Sequence, residues 1–149
     1  MGIIVNDRKT KKMLIGSILK HPSLSVSLSG TLVQRVTLLG VHVANNWKWT
    51  QHVDAIPSKV SSRLYFLKQL KRSGAGPDDL LCYYITVVRP VLEYACPVWH
   101  SSLTAVQTKT LESLQQRVMK TIFPAVKDYT LSLIFANVDT FESRREQLT

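Results

Sequence analysis

Two periodicities divide this chain. Over residues 24–28 apolar side chains alternate with serine (LSVSL), the two-residue period of a half-buried strand. Residues 12–16 and 36–43 are short apolar or β-branched runs of strand composition. Ser29-Gly30 marks a turn between them, and Gly40 marks a bulge or a close backbone approach. From about Trp49 the period lengthens. Val53, Ile56, Val60, Leu64, Leu67 and Leu70 recur at steps of three and four, which predicts one long helix with Thr50 as its N-cap. Pro57 should kink that helix or delay its regular start, and the run SGAGP at 73–77 should end it. A second helix is expected from Asp78-Asp79 to about Arg89, and a third from Pro90 to about Trp99. A fourth should run over 104–123 with Leu111, Leu114, Val118 and Ile122 on its apolar face, stopped by Pro124. Two shorter helical stretches, 129–136 and 140–148, complete the pattern. The expected fold class is α+β: a short N-terminal antiparallel β region over residues 1–45, then a mostly helical bundle over 46–149. The last stretch is still helical where the sequence stops and the first strand has no partner before it, so the chain reads as a piece of a larger fold.

Composition sharpens this picture at three points. A hydrophobic share of 45% in 149 residues is enough for a core, and no apolar run approaches the roughly 20 residues that cross a bilayer. No membrane partner is therefore expected. Nineteen Lys/Arg against ten Asp/Glu give a net charge of +9, which favours a polyanionic partner. Cys82 and Cys96 sit in apolar segments without metal-ligand spacing and are expected to be buried free thiols, pointing to the cytoplasm or nucleus. The N-terminus has neither the charge order nor the cleavage site of a secretory signal. Asn6 stands where a myristoylation motif wants Ser or Thr.

Four blocks carry a family resemblance. They are VNDRKTKKMLI at 5–15, LLGVHVANNWKWTQHVDAI at 38–56, SSRLYFLKQLKRSG at 61–74 and PDDLLCYYITVVRPVLEYACPVWHSSLT at 77–104. In order and spacing they resemble the region downstream of the catalytic palm in reverse transcriptases of non-LTR (LINE-like, Jockey-type) retrotransposons. The resemblance implies that the first block is the end of the palm, with Lys9 or Lys11 near the incoming nucleotide. It makes VTLLGVHVANNWKWTQHVD at 36–54 the β-hairpin that grips the primer end and the start of the thumb, and the helices from Trp49 onward the thumb and the connection beyond it. The parent enzyme would be an RNA-directed DNA polymerase using Mg²⁺, held by carboxylates that include a Y-x-D-D hairpin. This chain departs from that pattern. Its single Asp-Asp pair, Asp78-Asp79, follows Gly76-Pro77 at a helix start and reads as a first-turn cap. No catalytic residue and no metal or other cofactor is therefore expected in this chain, and no polymerase activity. Its partners would be an RNA–DNA hybrid or duplex, bound without sequence preference, and the missing palm and fingers.

The expected phosphate contacts are Lys59, Arg63, Lys68, Lys71 and Arg72 on the long helix, with Arg117, Lys120 and Lys109 on the fourth. Lys59 and Arg63 are one turn apart, and Lys68 with Arg72 repeats the spacing. Trp47, Trp49, Tyr83, Tyr84, Tyr94 and Trp99 could stack on bases, but amid Leu and Val at helical spacing they read as core. His52-Val53-Asp54 has the H-x-D spacing of iron(II) oxygenases, with His100 as a distant ligand, and a related stretch resembles an N-terminal region of AlkB-homologue repair proteins. Two residues apart on a helix, His52 and Asp54 point to different faces, so the reading is a polar helix face. Neither a nucleophile–base pair nor a phosphate-binding glycine loop is visible. The rival to the thumb reading is a co-opted helical module that binds a protein through apolar surface, or a relic.

Overall fold

The computed structural model describes residue 6, residues 8–16 and residues 30–149, in two compact units, 1–52 and 53–149. The expected α+β class holds: two small sheets lie at the N-terminus, and the rest is helical.

In the N-terminal unit, β1 (Lys11–Lys12) pairs in parallel with β2 (Thr31–Leu32), while β3 (Arg35–Leu38) and β4 (Val41–Ala44) form an antiparallel hairpin, so the antiparallel pairing expected of this region holds only for the hairpin. Of the strand expected over 12–16 only Lys12 is paired, as the second residue of β1, and the alternating segment 24–28 lies outside the described residues. Residues 36–43, expected from their composition to be one strand, instead span two strands and their turn. Leu39 (φ 49°) and Gly40 (φ 80°) occupy a two-residue loop whose central positions both have positive φ, the geometry of a type I′ turn. Gly40 is thus a turn residue rather than a bulge, and Leu39 bears the cost of a left-handed backbone with a Cβ. Gly30 has a different constraint, because a Cβ there would meet the Thr10 carbonyl oxygen at 2.8 Å. The backbone N–H of His42 donates to Nδ1 of His52 at 3.4 Å, with the two rings 6.0 Å apart. His52 is buried and so does not lie on the polar helix face expected for it.

The second unit is built on two helices. α1 (Thr50–Arg72) runs continuously through Pro57, with Thr50 its first helical residue. Val53, Ile56, Val60, Leu64 and Leu67 are buried along one stripe, but Leu70, expected to extend it, is exposed. Its C-terminus closes as a Schellman motif: Gly74 (φ 93°) donates to the Lys71 carbonyl and Ala75 to that of Leu70. α5 (Ala105–Ile122) starts at a capping box made by Thr104 and Gln107 and buries Leu111, Leu114, Val118, Met119 and Ile122. Gln107 Nε2 donates to Asp54 Oδ1 at 3.2 Å near the start of both helices, and Lys71 Nζ donates to the Thr121 carbonyl near their ends. The two helices therefore lie side by side in parallel.

The connection between them departs from expectation. α2 (Pro77–Tyr83) leads into a π-helical turn (Tyr84–Val88) and then α3 (Arg89–Glu93), so the helix does not stop at Arg89-Pro90. Pro90 lacks an N–H, and its ring would press on the carbonyl four residues back. The turn before it widens, with the Arg89 N–H reaching the Tyr84 carbonyl five residues back. The break comes later, at Tyr94 (ψ 123°) and Ala95 (φ 55°), before α4 (Cys96–Trp99) and a 3₁₀ turn (His100–Ser102). Trp99 is fully buried and its indole N–H donates to the Tyr94 carbonyl at 2.9 Å. Cys96 is buried as expected, whereas Cys82 is exposed because its position on α2 faces away from Leu80 and Tyr84.

α6 (Tyr129–Ala136) is capped by the Asp128 carboxylate and ends at Asn137 in the left-handed conformation. α7 (Phe141–Leu148) is capped by Thr140 and also by a residue from another helix. Glu112 of α5 accepts the backbone N–H groups of Phe141 and Glu142 at 3.3 and 3.2 Å, besides the Tyr129 hydroxyl at 2.5 Å. One carboxylate thus ties α5, α6 and α7 together at a helix N-terminus, where negative charge is favoured.

Two outcomes follow in stability. Leu39→Asn, which tolerates positive φ, should raise the stability of the N-terminal unit by about 1 kcal/mol in urea unfolding. Glu112→Ala should cost about 2 kcal/mol or more and raise amide exchange in α7 first, since three donors lose their acceptor at once.

Candidate nucleic-acid interface

The cations expected at the interface separate into distinct groups. On an α-helix each residue advances about 100°, so Lys59 and Lys68, nine residues apart, lie on opposite flanks of α1. Lys59 is exposed, and the half-buried Arg63 one turn on shares its flank, with Nη1 donating to the Lys59 carbonyl at 3.5 Å. Lys68 and Arg72 are exposed on the other flank, the one beside α5. Lys71 lies at the edge of the buried stripe, where its ammonium group holds the Thr121 carbonyl and fastens the end of α5. It serves the fold before any ligand. Lys9 and Lys11 are exposed residues of the N-terminal unit, beside and within β1.

The parallel pairing of α1 and α5 brings Lys68, Arg117 and Lys120 together. They line a shallow cleft of about 180 Å³ with Leu64 at its floor and Thr121 at its rim. A second cleft of about 250 Å³ continues from it, lined by Lys120, Lys127, Gln116 and Tyr129 among others. Lys120 belongs to both, so four cations, Lys68, Arg117, Lys120 and Lys127, form a continuous band. Lys109 stands on the same face of α5 as Lys120, eleven residues or about 16 Å earlier. Among the described residues the ion pairs are Arg89–Glu93 at 2.7 Å and Arg144–Glu93 at 3.1 Å. The band therefore carries its positive charge without an internal carboxylate partner. Lys127 was missed from the sequence because it sits in the loop after Pro124, outside any helical period.

The aromatics divide between core and surface. Tyr84 and Trp99 are buried, as core packing requires, but Trp47 and Tyr94 are about half exposed and so do not follow the expectation that all six pack inside. Trp47 lies 6.4 Å from Trp49 in a tilted pair. Asp78 and Asp79 are exposed in the first turn of α2, where acids meet the positive end of the helix. Asp54 is exposed and engaged by Gln107. Among the described residues no group of three His, Cys, Asp or Glu could hold a metal, and no helix is long and apolar enough to cross a membrane. Against known protein families, curated proteins and solved structures, the chain finds no match.

Tyr129, which lines the second cleft, has its phenol pushed well above the usual range by burial and then by its hydrogen bond to the Glu112 carboxylate. Burial does the same to Tyr84, and it raises the Cys96 thiol against the opposing field of Arg145. A raised phenol favours the protonated form when folded. Stability is therefore complete below the unfolded value of 10.0 and falls as pH climbs above it, because only the unfolded chain then loses the proton. Alkaline titration should show tyrosinate absorbance from these two residues appearing only with unfolding. Tyr129→Phe should reduce the pH dependence above pH 10 as well as the stability below it.

Proposed function

We propose that this chain is the thumb-like part of a non-LTR-retrotransposon reverse transcriptase, which tracks the sugar–phosphate backbone of a primer–template duplex or RNA–DNA hybrid. It performs no polymerisation itself. The observation that carries this reading is the unpaired cationic band of Lys68, Arg117, Lys120 and Lys127 across the α1–α5 seam. Lysine and arginine neutralise phosphates without reading bases, so the band suits binding that depends on backbone charge rather than sequence. The four sequence blocks that resemble the palm end, thumb and connection give the same reading independently. In the parent enzyme the metal-bound carboxylates lie elsewhere, and this part holds the duplex against them.

A second reading rests on α6. Leu131, Ile134 and Phe135 are exposed on the side of that helix opposite its buried Leu133 and Ala136, the surface a protein-binding module would present.

The two readings separate on charge. Arg117→Glu with Lys120→Glu should weaken binding to a fluorescent RNA–DNA hybrid by roughly tenfold or more in anisotropy titrations at low salt, with unfolding unchanged, since both side chains are exposed. Equal affinity in the double variant would refute the backbone-tracking role. Leu131→Ser with Phe135→Ser should leave hybrid binding intact.

A further inference from the structure

The opposite flank of α1 has a different chemistry. Lys59, Arg63, Phe66 and Leu70 follow one another at steps of four, three and four, and so share one strip along the helix, about a quarter turn from the buried stripe. At its lower end lies an open groove of about 610 Å³ lined by Phe66, Gln69, Leu70, Ser73 and Tyr83. Tyr83 is fixed in place by a hydrogen bond from its hydroxyl to the Arg63 carbonyl at 3.4 Å, which sets an aromatic ring on α2 beside the strip on α1. Phe66 is braced edge-on by Tyr65, with ring centroids 5.7 Å apart. Both residues of that pair are 58% exposed, and Phe66 stands in solvent on the same strip as Lys59 and Arg63.

We infer that this groove binds an unpaired nucleic-acid strand, with bases stacking on Phe66 and Tyr83 and phosphates meeting Lys59 and Arg63. The inference rests on the proposed nucleic-acid role and adds a second surface to it. Charge complementarity identifies the occupant. A purely apolar partner would leave the Lys59 and Arg63 charges unanswered along the strip, whereas a single strand offers a π-face and an anion at each nucleotide. A duplex hides its base faces, so it suits the band at the α1–α5 seam and not this groove. Gln69 and Ser73 at the rim supply polar groups for base edges without imposing a sequence.

The test is a pair of titrations with the whole chain, using fluorescent oligothymidylate and a blunt RNA–DNA hybrid of equal length. Phe66→Ala and Phe66→Leu should each weaken oligothymidylate binding roughly tenfold, in line with the loss of one stacked base, and leave hybrid affinity unchanged. The leucine variant keeps apolar bulk, so its failure to bind identifies stacking as the missing interaction. Unchanged oligothymidylate affinity in both variants overturns the inference, as does absence of single-strand binding by the parent chain while the hybrid still binds. Loss of a concentration-dependent dimer in Phe66→Ala, with oligothymidylate binding intact, would instead make the strip a protein-docking face and likewise overturn it. If neither nucleic acid binds, the proposed function falls together with this inference. If oligothymidylate binding is lost in the Phe66 variants while hybrid binding ignores Arg117 and Lys120, the single-strand groove stands and the duplex role falls.

Discussion

The second unit depends on the parallel contact between α1 and α5. Each helix brings a stripe of fully buried aliphatic residues, Val53 to Leu67 on one and Leu111 to Ile122 on the other. Gln107 with Asp54 near the start, and Lys71 with the Thr121 carbonyl near the end, fix their alignment along the axis. Each buried aliphatic side chain contributes about 1.5–3 kcal/mol of transfer free energy, more than either hydrogen bond, so burial of the two stripes supplies the stability and the polar contacts supply the register. Parallel helices cannot be joined by a short loop. The α2–π–α3–α4 path is the crossover this arrangement demands, and the π-helical turn before Pro90 keeps that path helical where proline would otherwise break it.

The charge distribution follows from the same contact. A helix that buries one stripe must place its long basic side chains on the flanks or the far side, and parallel alignment then sets the Lys68 flank of α1 against Arg117 and Lys120 of α5. Glu112 stays out of this band because it is turned toward the N-terminus of α7, and Glu93 stays out because it is held by Arg89 and Arg144. Both carboxylates are thus occupied in structural roles. Arg145 is itself buried with its guanidinium 4.8 Å from the Phe141 ring, so one further cation is withdrawn from the surface.

Much of the helical part was legible in the sequence because its signals are local. The helix start at Thr104, the 73–77 stop, and the steps of three and four in α1 and α5 each follow from side chains within a few residues. The misread elements have causes that are not local. Nothing adjacent to Arg89-Pro90 signals that the turn before it widens instead of ending. The hairpin turn places Leu39 where Asn or Gly is the usual choice, so composition alone suggests an unbroken strand. The basic band was visible only as scattered lysines and arginines. Which of them meet depends on α1 and α5 being parallel, and that alignment is set by the Asp54–Gln107 and Lys71–Thr121 contacts, 53 and 50 residues apart in the chain.

The salt dependence of hybrid binding reports whether the band meets a phosphate backbone. Three or four phosphates neutralised by Lys68, Arg117, Lys120 and Lys127 should give a plot of log affinity against log salt with a slope of about −3, at roughly −0.9 per phosphate contact on a B-form duplex. A slope near zero would mean that the band meets no phosphate backbone and that this chain does not track a duplex.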